Sequence, residues 1–148
     1  PRFTARGVPL ALHPLDEPLL AEPQTEMFGV PLPMPRVQVD ERLSEGETLL
    51  LGSHRWQVWH VPGHAPGHVL LHSPDTRTVL GGDLLFRGAY GRTDLPGSDP
   101  AAMAASLVRL LELPDDTRVF PGHGPAVTLG QERGWLEALL AAPTGIQL

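Results

Sequence analysis

The sequence predicts a single layered domain of the α/β or α+β class. Its 148 residues suffice for one ordinary domain with one hydrophobic core. Four short apolar runs follow one another at intervals of about ten residues, separated by Gly, Ser, Pro or Asp, and this spacing predicts an antiparallel meander. The runs are Glu47–Gly52, Trp56–Val61, Val69–Ser73 and Arg77–Leu80. One strand and two helices are predicted after them, and strands followed by strand–helix pairs favour a layered architecture.

The residues before the meander carry weaker patterns. Val8–His13 is short and apolar, and its proline limits the strand that it predicts to a sheet edge. Asp16–Met27 predicts one short helix interrupted by two prolines. In Gly29–Pro35 prolines alternate with apolar residues, which predicts an extended surface loop.

The residues after the meander show clearer boundaries. Arg87–Gly97 contains three Gly residues and one Asp and is predicted to be a loop. Asp99, followed by a proline, predicts the capped start of a helix that runs to about Leu113, where the next residue is again a proline. A short buried strand is predicted at 117–120 and an amphipathic helix at 129–141, closed by a proline.

Composition restricts the kinds of partner. The net charge is −6 with no run of Lys or Arg, so a nucleic-acid partner is not expected. The chain has no cysteine, so any metal must be held by His, Asp or Glu. It also has no apolar stretch of roughly 18 residues and no signal-peptide pattern, so a soluble cytoplasmic protein without a membrane partner is expected.

The candidate chemistry lies at the ends of three predicted strands. The prolines and glycines of His60–His68 exclude a helix there and predict a tight loop between two strands. His64, Asp83 and His123 each follow an apolar run and each have glycine neighbours. If the strand ends meet at one edge of a sheet, two imidazoles and a carboxylate suit Zn, Fe or Mn. Taken singly, each is more often a turn residue, and for the three taken together both interpretations stay open.

Four ordered motifs carry a family resemblance. They are Val-Pro-Gly-His-Ala-Pro-Gly-His at 61–68, Gly-Gly-Asp-Leu-Leu-Phe at 81–86, Gly-Arg-Thr-Asp-Leu-Pro-Gly at 91–97 and Phe-Pro-Gly-His-Gly-Pro at 120–125. In order and spacing they resemble the second half of the metallo-β-lactamase superfamily, most closely its small glyoxalase II-like (hydroxyacylglutathione hydrolase-like) members. The resemblance covers residues 8–142. It implies an αβ/βα sandwich with a metal pair at one edge, of which this chain supplies the C-terminal two-thirds.

The resemblance also implies roles for individual residues. His64 matches a histidine ligand of the first metal, Asp83 the carboxylate that bridges both metals and takes part in catalysis, and His123 a ligand of the second metal. His68 matches a recurrent histidine that anchors the loop or lies behind the ligands. Arg92 and Asp94 resemble a loop beside the site, where anchoring of the loop and contact with substrate are both open. Two Zn2+ ions are expected in the complete protein, with Fe or Mn as alternatives.

One part of the family pattern is missing from the chain. The His-x-His-x-Asp-His motif would lie before residue 8, and nothing like it occurs in these residues. His13, followed by a proline, matches a histidine often seen shortly after that motif. The expectation is therefore a single metallo-β-lactamase-like domain over residues 1–148 that is incomplete at its N-terminus and is inactive alone, because each metal would keep only two protein ligands.

The resemblance implies a metal-dependent hydrolase that uses metal-activated hydroxide on a small-molecule thioester such as a hydroxyacylglutathione. Val61 and Ala65 stand where the family often has threonine, and the extra C-terminal helices of larger glyoxalase II enzymes are absent. A lactone or another ester is therefore also considered as substrate. Two alternatives are a mononuclear iron dioxygenase acting on a persulfide and a catalytically inactive fragment. The oligomeric state is left open.

Overall fold

A computed structural model describes residues 3–21 and 37–142. The described residues form two compact units, one within residues 1–43 and one within residues 44–148. The loop predicted at 29–35, the second half of the helix predicted at 16–27 and the proline expected to close the last helix lie outside the described residues. The single-domain interpretation stays a prediction.

The first unit contains short elements. They are 3-10 turns at Thr4–Arg6 and Pro14–Asp16, strand β1 (Ala11–Leu12), helix α1 (Glu17–Ala21) and strand β2 (Glu41–Arg42). β1 pairs with β2 in parallel, so the strand predicted at 8–13 is reduced to two residues. Arg42 donates to both carboxylate oxygens of Glu17, at 2.5 and 3.1 Å, which fastens β2 to α1. The hydrogen bond from Arg42 lowers the pKa of Glu17.

The second unit is built on a six-stranded sheet. Its strands are β3 (Thr48–Leu51), β4 (His54–His60), β5 (Val69–Ser73), β6 (Thr78–Gly82), β9 (Arg118–Pro121) and β10 (Val127–Thr128), in the order β10-β9-β6-β5-β4-β3. Neighbours are antiparallel except β6 and β9, which are parallel. The predicted meander therefore forms as β3 to β6, and the predicted strand at 117–120 joins it as β9.

A hairpin lies where the sequence predicted only a loop. β7 (Leu85–Phe86) and β8 (Ala89–Tyr90) pair antiparallel and form a separate two-stranded sheet. Gly88 in the turn has φ +68°, a conformation that glycine adopts without strain. The expectation of a loop at 87–97 is thus wrong at its beginning, because two of those residues form a strand.

The described part of the second unit has two helices, one before β9 and one after β10. α2 (Pro100–Leu110) begins as predicted, since Asp99 Oδ1 accepts from the amides of Ala101 and Ala102 at 2.8 and 3.1 Å. It ends three residues before the predicted Leu113, where Arg133 donates to the carbonyls of Leu111 and Leu113, each at 2.9 Å. Leu111 is the C-cap residue and Leu113 lies beyond it, so Arg133 satisfies carbonyls at and just after the helix end.

The last helix, α3 (Leu129–Ala141), fills the range predicted for it. At its start the Gln131 side chain accepts from the Thr128 amide at 3.0 Å, one half of a capping box. Both helices bury their apolar side chains against the sheet. The fully buried residues of this core include Leu70, Val79 and Val119 from the sheet, Met103, Leu107 and Leu110 from α2, and Leu129 and Leu136 from α3. Each such side chain contributes roughly 1.5–3 kcal/mol through burial, so the core holds the strand ends in fixed positions.

Helices long and apolar enough to span a bilayer do not occur in residues 3–21 and 37–142.

Candidate metal centre

Three strands deliver the candidate ligands to the same edge of the sheet. β4 is parallel to β6, because each is antiparallel to β5 between them, and β9 is parallel to β6. The C-terminal ends of all three strands therefore lie at one edge, and His64, Asp83 and His123 follow those ends. His64 Nε2 lies 3.5 Å and His123 Nε2 lies 3.8 Å from Asp83 Oδ2. The structure thus brings together the three residues that the sequence singled out.

Asp83 leaves the sheet at an irregularity. The pairing of β6 with β9 shifts register between Leu80 and Gly82, and Gly82 has φ +51°. A register shift of this kind turns the chain and redirects the next side chain. The Gly122 amide donates to the Gly82 carbonyl at 2.8 Å, so the turn before Asp83 and the turn before His123 are fastened together.

The His64 ring is oriented by a backbone group. Its Nδ1 lies 3.0 Å from the carbonyl oxygen of Arg92. A carbonyl can only accept, so Nδ1 carries a proton, and Nε2 is the ring nitrogen that faces Asp83. An imidazole held in this way is prepared to bind a metal through Nε2, as metal-ligating histidines generally are.

The loop that carries His64 is anchored to α2 at several points. The Asp99 amide donates to the Gly63 carbonyl at 2.8 Å, and Ser106 Oγ donates to the Pro62 carbonyl at 2.7 Å. Gly63 has φ +139°, and a Cβ there would lie 2.5 Å from the Met103 Cα, so only glycine permits this close approach. The loop 61–68 is therefore held in one conformation by the start of α2.

Two glycines allow the backbone to pack closely around Asp83. A Cβ at Gly122 would overlap Asp83 Oδ1, and a Cβ at Gly91 would overlap the Asp83 carbonyl oxygen and lie 3.3 Å from the His64 Cβ. Side chains larger than hydrogen are thus excluded from both sides of Asp83. The backbone at Gly91 and Gly122 therefore packs directly against Asp83.

His123 is the most exposed of the three, with 73 % of its side chain accessible. The Phe86 ring stacks on it, with the ring centroids 4.3 Å apart and the planes at 23°. Phe86 is the last residue of the 81–86 motif, and the sequence indicated no role for it. The stacking depends on the β7–β8 hairpin, which the sequence did not predict.

The remaining predicted site residues lie around this group. The His68 ring is half-buried at 6.1 Å from the His64 ring, and a Cβ at Gly82 would lie 2.5 Å from its Nε2, so His68 packs closely behind the ligand loops. Arg92 pairs with Asp94 through two bonds of 2.7 Å on the surface. This hydrogen-bonded contact raises the pKa of Arg92 and lowers the pKa of Asp94. Arg92 reaches His64 with its backbone carbonyl.

The donor set fits part of a metal site. Two ligand atoms at about 2.0–2.1 Å from a tetrahedral ion lie about 3.3 Å from each other, close to the 3.5 and 3.8 Å measured here. Within residues 3–21 and 37–142, however, no group of three or more His, Asp or Glu side chains is arranged to hold a metal ion. His64, Asp83 and His123 therefore suit a metal site that needs additional donors, as catalytic zinc sites with three protein ligands per ion do.

The fold and these residues define the class of protein. The sequence model of the metallo-beta-lactamase superfamily matches residues 3–123. The chain belongs to this superfamily, whose fold binds metal ions.

Individual proteins of this superfamily are similar to most of this chain. An uncharacterized protein of Aquifex aeolicus is 40% identical over 134 residues, which are 86% of this chain and 62% of that protein. The hydroxyacylglutathione hydrolase GloC of Haemophilus influenzae is 36% identical over 117 residues, 74% of this chain and 52% of that enzyme. The crystal structure of TTHA1623 in a di-iron-bound form is 50% identical with a TM-score of 0.78, covering 89% of this chain and 65% of that one. The chain thus spans less than two thirds of the length of these proteins.

Proposed function

We propose that this protein is a metal-dependent hydrolase that cleaves a small-molecule thioester such as a hydroxyacylglutathione. The observation that carries the proposal is the convergence of His64 Nε2 and His123 Nε2 on Asp83 Oδ2, with the His64 ring already oriented by the Arg92 carbonyl. The similarity to the hydroxyacylglutathione hydrolase GloC supports the substrate class.

The metals, when bound, act as Lewis acids and lower the pKa of a water molecule to about 7. The protein's own contribution is to hold the donors. His64 offers a lone pair in the correct tautomer, Asp83 supplies negative charge between the two imidazoles, and His123 offers a ring that is open to solvent. We propose Asp83 as the bridging ligand and two Zn2+ ions as the metals. Iron is the leading alternative, because the TTHA1623 structure is described as di-iron-bound.

The experiment combines metal analysis with two activity assays. The protein, with equal amounts of Zn2+, Fe2+ or Mn2+ added and excess metal removed, is analysed for bound metal by plasma mass spectrometry. It is then assayed for hydrolysis of lactoylglutathione and for oxygen consumption with glutathione persulfide. We expect metal-dependent thioester hydrolysis when the additional metal donors are present and no activity from residues 1–148 alone. Oxygen consumption with the persulfide and no thioester hydrolysis would instead support the iron dioxygenase.

Variants at the site identify the ligands. His64→Ala, Asp83→Asn and His123→Ala are each expected to lose bound metal and at least about 100-fold in activity, since loss of a ligand exceeds the 10–100-fold effect of an outer partner. His54→Ala is the matched control, because His54 is an exposed histidine at the start of β4, at the other end of that strand from the loop that carries His64. Full metal content and activity in all three site variants would contradict the proposal.

A further inference from the structure

The carboxylate of Glu132 is buried in the first turn of α3, nine residues after His123 in sequence. The residue is only 4% exposed. A buried carboxylate is costly unless it is hydrogen-bonded. Glu132 Oε2 accepts from the backbone amide of Gly88 at 2.7 Å and from the indole Nε1 of Trp135 at 2.7 Å. Its place near the N-terminus of α3 further favours the negative charge.

The Gly88 amide belongs to the turn of the β7–β8 hairpin. The Glu132 carboxylate therefore reaches from α3 to a separate two-stranded sheet and fixes the position of its turn. The base of the hairpin is fixed as well, since Leu84 and Leu85 are fully buried and the Gly91 amide donates to the Leu84 carbonyl at 3.3 Å. Both ends of the hairpin are thus restrained.

The restrained hairpin carries Phe86, whose partner across the two strands is Ala89. The Phe86 ring lies against the His123 ring at 4.3 Å between centroids and 23° between planes. His123 lies after β9 and is mostly exposed to solvent. A shift of the hairpin turn would move Phe86 and with it the surface against which the His123 ring rests.

We infer that Glu132 is a positioning residue for His123, acting through the Gly88 amide, the β7–β8 hairpin and the Phe86 ring. Glu132 does not contact the site itself. Its carboxylate sets where the hairpin turn lies, the hairpin sets where the Phe86 ring lies, and that ring limits the orientations of the His123 imidazole. The inference depends on the proposed function only in that His123 is there a metal ligand.

The test uses nuclear magnetic resonance of the protein with metal removed by a chelator and with histidine labelled. A ring stacked on the imidazole shifts the signals of the His123 ring protons upfield. The Phe86→Leu variant gives their chemical shift without that ring. Glu132→Met keeps the side-chain volume but removes the acceptor, and it is expected to lose most of the upfield shift. Glu132→Gln keeps an oxygen acceptor and is expected to retain most of it. Trp135→Phe removes one donor to Glu132 but leaves the Gly88 bond, so it is the control for packing of α3.

Two results would overturn the inference. One is a Glu132→Met protein whose methyl spectrum shows that it is folded and whose His123 ring protons keep the native chemical shift. The other needs no variant: the Gly88 amide, although its residue is exposed, is expected to be protected from hydrogen exchange, and an unprotected amide would show that the bond to Glu132 does not hold the turn.

A metal titration then separates this inference from the proposed function. Glu132→Met is expected to bind Zn2+ about 10–100-fold more weakly, the usual effect of an outer partner of a ligand, and Glu132→Gln nearly as well as the parent. If the parent protein binds no metal while the ring-shift results hold, the proposed function fails and the positioning by Glu132 stands. If the parent binds metal and Glu132→Met binds it equally well with an unchanged ring shift, the positioning fails alone.

Discussion

The Nδ1 atom of His64 lies 3.0 Å from the backbone oxygen of Arg92, a residue whose side chain points away into an ion pair with Asp94. The loop after β8 therefore contributes to the candidate metal centre through its main chain. Its charged side chains lie on the surface, paired with each other. This division of roles makes the two contributions separable by substitution.

Arg92→Ala is expected to leave the bound metal unchanged, because the carbonyl that orients His64 remains. If the guanidinium contacts substrate, KM rises while kcat with saturating substrate changes little. Metal analysis beside steady-state kinetics checks both parts. A loss of metal as large as that in His64→Ala would mean that the side chain, and not the backbone, holds the ring.

Gly122→Ala is expected to weaken metal binding by about 10-fold or more, since displaced ligand groups cost metal affinity on this scale and the added Cβ would overlap Asp83 Oδ1. Because Gly122 is exposed, the free energy of unfolding should change by less than about 1 kcal/mol. Zinc titration and urea unfolding measure the two effects. Gly134→Ala is the control: it lies within α3 with no atom within 4 Å of the added Cβ, so it should stabilise the protein by about 0.5–1 kcal/mol without altering metal binding.

Arg109→Ala is expected to lower the free energy of unfolding by about 1–2 kcal/mol, the combined scale of a cation–π contact and a partly exposed ion pair. The Arg109 guanidinium lies 4.3 Å from the Trp59 ring centroid and binds Glu45 at 2.6 and 3.0 Å. Urea unfolding at neutral pH measures the change, and the exposed Arg55 of β4 supplies the matched substitution. Equal effects of the two substitutions would show that these contacts contribute nothing.

Stability is expected to fall as the pH drops below about 6.5, in part because of His72. This residue is 8% exposed, it packs against the Trp59 ring at 5.1 Å, and burial lowers its pKa from the ordinary 6.5. The unfolded chain therefore takes up the proton first as the pH falls, and the folded state loses stability between the unfolded and the folded pKa. Unfolding curves of the metal-free protein across this range, compared with His72→Phe, test the assignment. The variant should show a flatter dependence, whereas His54→Gln should not.

The sequence predicted the meander because short apolar runs separated by turn residues are local signals of strands. It left open whether His64, Asp83 and His123 meet. Their convergence depends on β4, β6 and β9 running in the same direction, which the pairing of the strands shows.

Other features depended on contacts between distant residues. The strands of the β7–β8 hairpin have two residues each, too few for any alternation of apolar and polar side chains to register. Glu132 would be placed on the surface by its charge, and only the fold shows the donors that allow its burial. The Arg92 carbonyl could not be singled out, since every residue has one. The end of α2 was misplaced because the chain continues after Leu110 as a turn, with the Glu112 and Leu113 amides bonded to Arg109 and Leu110, and the apolar spacing does not distinguish this turn from a helix.

The anchoring of the loop 61–68 to α2 has a thermodynamic consequence. The Pro62 and Gly63 carbonyls are already bonded to Ser106 and Asp99, and the close contact with Met103 leaves the loop no alternative path. The conformational entropy of ordering this loop, about 1–2 kcal/mol per residue for the backbone, is therefore lost when the chain folds. An ion arriving at His64 would meet a loop that needs no further ordering, so its binding free energy would not be reduced by that term.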